Sequence, residues 1–153
     1  MVLAALLALS PWIALSPWIA PIPGAEVLRG YQPPDQSWTA GHRGIDFSAS
    51  SGTPVYALGP GVVVFAGQIA GKPVISVQHP DLDLRSTYEP VLASVKRGDS
   101  VVAGELIGSV ADIGGHCAGR CLHLGLKDPG AGAYRNPLEL LRPGTAVLKA
   151  PAG

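Results

Sequence analysis

Between Glu26 and Leu141 apolar residues gather in short segments of three to six, most with Gly, Pro, Asp or Ser at or beside an end. Runs of that length with turn chemistry between them predict β-strands. The segments are 45–48, 54–57, 61–66, 74–79, 85–88, 100–102, 106–110 and 122–126. Val62, Val63 and Val64 run straight into Phe65, and Val74-Ile75-Ser76-Val77 alternates only in part, which predicts strands buried on both faces in places. One short helix is expected near 137–141, opening on Pro137, because proline suits a first helical turn. Residues 142–153 read as a loose tail. Closely spaced turn signals and too little room for crossover helices give an all-β fold, a mainly antiparallel sandwich or open barrel.

Residues 1–25 follow a different pattern. They carry no charge, are rich in Leu and Ile, and hold the hexapeptide Ala-Leu-Ser-Pro-Trp-Ile twice in tandem, at 8–13 and 14–19. Pro11 and Pro17 fall where a spanning helix would need backbone donors, which argues against a transmembrane segment. The segment reads as a secretory leader, with membrane anchoring or an apolar arm packed on the domain as alternatives, so an exported, secreted or wall-associated protein is expected. The domain proper is then 26–141.

Composition narrows the choice. Glycine and proline supply 20 and 15 of the 153 residues, which excludes a helical bundle, and 47% hydrophobic with 14% charged residues excludes general disorder. Eleven Lys+Arg cancel eleven Asp+Glu, so nothing in the net charge points to nucleic acid. A monomer is expected. Cys117 and Cys121, in Gly114-Gly115-His116-Cys117-Ala118-Gly119-Arg120-Cys121, form one short disulfide loop in an exported protein and a metal or redox pair in a cytosolic one.

Candidate chemistry lies with the histidines. His42 and Asp46 in Gly41-His42-Arg43-Gly44-Ile45-Asp46 can converge if the chain turns at Gly44, and imidazole with carboxylate is a usual zinc pair. Alone, that pair reads more readily as a surface salt link. In Cys121-Leu122-His123-Leu124-Gly125, a strand would direct Cys121 and His123 to one face and Leu122 and Leu124 into the core. His79 reads as a structural strand-end histidine.

Taken in order, the blocks are His42-Arg43-Gly44-Ile45-Asp46, Gly52-Thr53-Pro54-Val55-Tyr56-Ala57, Gly61-Val62-Val63, Val77-Gln78-His79, Thr87-Tyr88-Glu89-Pro90, the run from Gly98 to Gly108, and Cys121-Leu122-His123. In these the chain resembles the lysostaphin-type (LytM-domain) zinc metalloendopeptidases, which cut peptidoglycan peptides, over residues 26–140. The resemblance implies zinc held by His42, Asp46 and His123. Such a three-ligand site keeps a position where the metal lowers the pKa of water toward about 7 and polarises the scissile carbonyl.

Two further histidines that active members carry are replaced here by Pro90 and Cys121. The pair of replacements resembles a subset typical of actinobacteria, with Tyr-Glu-Pro and Cys-Leu-His. Glu89 as general base and His116 as proton donor are the candidate substitutes. The first expectation is therefore an exported zinc endopeptidase acting on peptidoglycan peptides. The second is a weakly active or inactive wall module with structural zinc, which binds peptidoglycan or regulates a partner cell-wall hydrolase. A version of the second has Cys121 as a free thiolate, closing the site as a fourth ligand.

Overall fold

A computed structural model describes residues 18–36, 38–113, 116–117 and 120–141. The tail 142–153 and most of the apolar lead lie outside them. Among the described residues eleven strands and one helical turn follow in order: β1 Val27–Arg29, β2 Gly44–Ser48, β3 Pro54–Tyr56, β4 Gly61–Ile69, β5 Lys72–His79, β6 Leu84–Glu89, β7 Val91–Ala93, β8 Ser100–Val101, β9 Leu106–Val110, β10 Cys121–Asp128, β11 Ala133–Arg135 and α1 Leu138–Leu141. All pairings are antiparallel. The larger sheet runs β1-β2-β10-β6-β5-β4-β8 with β11 beside β10, and the smaller runs β3-β9-β7. Neither closes on itself, as the all-β expectation allowed.

The period of two assigns the faces of the large sheet. Ile45 and Phe47 of β2, Leu122, Leu124 and Leu126 of β10, Tyr88 of β6, and Ile75 and Val77 of β5 are buried on one face. There they meet Val55, Val91, Ile107 and Val110 of the smaller sheet in one core. Each such side chain contributes about 1.5–3 kcal/mol relative to exposure. The alternate residues, Asp46, His123, Glu89, Thr87 and Lys127, face the other way, and that face carries the site.

Expectation and structure part at two places. Strands β1, β7 and β11 were not legible, since each has three residues and β1 and β11 bury none. Burial on both faces holds at Val74 and Ile75 of β5 but not in β4, where Val62 is 39% exposed and the register shifts between Val63 and Phe65. Residues 18–25, inside the segment read as leader, pack against the domain. Ile22 joins the core, the Ile19 N–H donates to the Leu58 carbonyl at 2.9 Å, and the Trp18 ring occupies the space a side chain at Gly59 would need. Among the described residues no helix is long and apolar enough to cross a membrane.

His79 lies on the core side, 1% exposed. Its Nδ1–H donates to the Pro60 carbonyl at 2.8 Å, leaving Nε2 to accept the Ser86 hydroxyl at 2.7 Å. The Tyr88 hydroxyl, 2.9 Å from Ser86 Oγ, accepts the Leu58 N–H. Burial pulls the His79 pKa below its ordinary value, and the bond to Pro60 only partly opposes this. The unfolded chain therefore binds the proton more readily. The stability from neutral His79 is fully present above about pH 6.5 and is lost as pH falls from there through the lower folded value. Thermal unfolding between pH 7.5 and 5 should show a decline in Tm that is shallower in His79→Gln.

Candidate metal centre

His42, Asp46, His116 and His123 converge at one point of the polar face, their ligand atoms all within 4.8 Å of one another. Two adjacent strands bring most of this about. In the β2–β10 ladder Asp46 stands directly opposite His123, so two residues 77 apart in sequence share a face and a row. His42 precedes β2, fixed by an isolated bridge to Gln32. Gly44 makes room for the cluster. A Cβ there would lie 2.7 Å from both Cε1 and Nε2 of His123 and would collide with the Leu124 carbonyl.

The innermost atoms form a triangle. Asp46 Oδ1 is 3.1 Å from His42 Nε2 and 2.8 Å from His123 Nδ1, and the two nitrogens are 3.2 Å apart. His42 is 4% and Asp46 2% exposed. The chemistry of these atoms calls for a cation. His42 Nδ1 is 2.7 Å from the Gly30 carbonyl and must donate to it, so in the neutral ring Nε2 presents a lone pair. A lone pair facing a carboxylate oxygen inside the protein requires a proton or a metal ion between them. Two imidazoles and a carboxylate are the residue types that would hold zinc, and the Gly30 carbonyl is the outer partner that would orient His42 as a ligand. Burial raises the Asp46 pKa, but hydrogen bonds from His123 and His116 and their charges outweigh it, holding the carboxyl down at about 2. Asp46 is thus ready as an anionic ligand at neutral pH.

His116 enters from the other side, its Nε2 2.7 Å from Asp46 Oδ2 and its side chain 42% exposed. Next to it Cys117 and Cys121 are joined in a disulfide. Cys121 therefore offers no thiolate, and closure of the site by that sulfur has no donor. The fourth ligand-capable group is His116 instead.

Glu89 sits directly across from His123 in the β10–β6 ladder, on the same face, and its Oε1 accepts from Lys72 Nζ at 2.8 Å. Lys72 was not singled out in the sequence. Counting alternate residues from Glu89 identifies the polar face of β6, but the partner comes from the far end of the β4–β5 hairpin. The Gly30 carbonyl was equally hidden, since no side chain marks it. His79 lies on the opposite face and takes no part.

A mostly antiparallel, nearly helix-free fold with a His/Asp cluster on its polar face is that of a lysostaphin-type metallopeptidase. The chain belongs to Peptidase family M23, whose family model matches residues 40–137. An uncharacterized protein of Mycobacterium tuberculosis (strain ATCC 25618 / H37Rv) is 45% identical over 132 residues, covering 83% of this chain and 52% of that protein. The chain thus spans about half the length of the curated relatives it matches. Among solved structures, the catalytic domain of the antimicrobial peptidase lysostaphin from Staphylococcus simulans is 29% identical with a TM-score of 0.63, covering 74% of this chain and 90% of that one. A mutant catalytic domain of the prophage-encoded M23 protein EnpA from Enterococcus faecalis is 28% identical with a TM-score of 0.62, covering 75% and 90%.

Proposed function

We propose that the chain is an exported zinc endopeptidase that hydrolyses peptide bonds of peptidoglycan, with His42, Asp46 and His123 as the metal ligands. The observation that carries this reading is the largely buried triangle of His42 Nε2, Asp46 Oδ1 and His123 Nδ1, whose facing atoms take a proton or a metal ion between them. Zinc, when bound, supplies Lewis acidity toward the scissile carbonyl and activates water. The protein's own groups do the rest. Glu89, one strand from His123 and held by Lys72, takes the proton of the attacking water. His116, bonded to the outer oxygen of Asp46 and partly exposed, returns a proton to the leaving amine.

Residues 18–153 with zinc, incubated with cell-wall sacculi, should release soluble peptides, and chelation should stop the release. Absence of release from every wall type tried would sink the proposal. Glu89→Gln should slow release by about 10²–10⁴-fold, the usual worth of a positioned general base, with zinc content unchanged.

A second reading has its own observation in favour. His116 is a fourth donor in the cluster, beside two other imidazoles and one carboxylate, and four protein ligands make a closed, structural zinc site suited to a wall-binding module or to a regulator of a partner hydrolase. His116→Ala separates the two. As a proton donor, His116 can be removed with loss of rate and little loss of zinc affinity. As a fourth ligand, its removal weakens zinc binding and lowers the zinc-dependent Tm.

A further inference from the structure

Beyond the metal centre, the polar face of the large sheet carries a second set of charges. Three rows of cross-strand neighbours run over it. The first is Asp46, His123 and Glu89; the second Gly44, Gly125, Thr87 and Ser76; the third Tyr134, Lys127, Arg85 and Gln78. Gly125 leaves the middle row flat. A cavity of about 500 Å³ lies over these rows, with Glu89 and Lys72 at one end and Arg85 and Lys127 at the other, and Ser76 and Thr87 hydroxyls between.

The charges in this cavity do not balance. Glu89 is engaged by Lys72. Arg85 and Lys127 stand directly opposite each other in the β10–β6 ladder, a placement of like charges that destabilises a sheet. Neither has an acidic partner among the described residues. Arg85 donates from Nε to the neutral Gln78 Oε1 at 3.1 Å, and Lys127 Nζ lies 5.5 Å from the centre of the Tyr134 ring. Both are only partly exposed, so solvent does not fully screen them. Two facing cations at the end of a groove, with hydroxyls beside them, are the chemistry of an anion site.

Resting on the peptidase reading above, we propose that Arg85 and Lys127 form a specificity subsite that takes a free carboxylate of the peptide being cut. From His123 to Lys127 is four residues along β10, about 13–14 Å. A substrate extended along the strands would thus present the carboxylate about four residues from the scissile bond.

The experiment uses two synthetic peptides that differ only in Glu or Gln at that distance, prepared for both sides of the bond. The full chain with zinc should cut the Glu peptide about tenfold faster in kcat/KM. The Arg85→Gln/Lys127→Gln protein should lose that preference and keep the rate on the Gln peptide. Binding of fluorescently labelled peptides to His123→Ala, read by anisotropy, keeps the two proposals apart. Preference for Glu without any cleavage would overturn the peptidase reading and uphold the subsite. Equal binding of Glu and Gln peptides by His123→Ala would overturn the subsite whatever the activity. Displacement of the labelled peptide by inorganic phosphate at concentrations where acetate has no effect would also overturn it, assigning the site to phosphate. Because the double substitution removes a like-charge pair, its Tm should equal or exceed that of the parent. A Tm several degrees lower would make the pair a structural feature and overturn the proposal.

Discussion

His123→Ala is expected to cut the release of soluble peptide from sacculi by about a thousandfold or more, and to abolish zinc retention through gel filtration. His123 supplies one corner of the inner triangle, 2.8 Å from Asp46 Oδ1 and 3.2 Å from His42 Nε2. Without it two inner donors remain, too few to fix the ion and the carbonyl it polarises. The fold should survive, because the His123 side chain stands on the polar face while Leu122 and Leu124 on either side carry the packing at 0% exposure. In chelator the Tm of His123→Ala should therefore match that of the parent within a few degrees. Added zinc should raise the Tm of the parent alone, since a ligand bound only by the folded state stabilises it by mass action. Full activity in a folded His123→Ala protein would remove this histidine from the metal.

Gly44→Ala should be the most damaging small substitution near the site. The new methyl group would meet the Leu124 carbonyl and lie 2.7 Å from the His123 ring. The ring can turn away, but the carbonyl belongs to the β2–β10 ladder, in which Gly44 pairs with Gly125 and Ile45 with Leu124. Relief requires parting two central strands. Overpacking of this kind costs about 1–3 kcal/mol, and more where backbone must move. For a domain of this size the lower Tm should be about 10 °C or more below the parent, accompanied by weaker zinc binding because His123 is displaced. Calorimetry and zinc titration of the same preparation read both effects. An unchanged Tm would mean that β2 and β10 separate easily, contrary to their register.

The all-β architecture was legible because strands 44–48, 72–79, 106–110 and 121–128 carry long or regular apolar patterns between turn residues. Short edge strands were not, since three residues such as Val27–Arg29 make too little pattern and owe their conformation to the neighbour they pair with. At the site, His42, Asp46 and His123 could be singled out only through the family resemblance, since the spacing of His42 and Asp46 alone reads more readily as a salt link. Their approach could not, because it depends on the register that sets Asp46 against His123. The Glu89–Lys72 pair and the facing Arg85 and Lys127 depend on register in the same way. A reader of β6 and β10 separately sees polar alternation in each, and only the alignment of the two turns it into a row.

The Gly30 carbonyl that accepts from His42 Nδ1 has a consequence for how such a site can change. It is a main-chain atom, so no exchange of side chain at position 30 deletes it, and the tautomer of His42 is insulated from point mutation there. Arg85, Lys127, Thr87 and Ser76 act through side chains on positions that the core does not dictate, and each is open to replacement by a single codon change. Substitutions can therefore change the charge and shape of the cavity over β5, β6 and β10 while the geometry at His42 stays as it is.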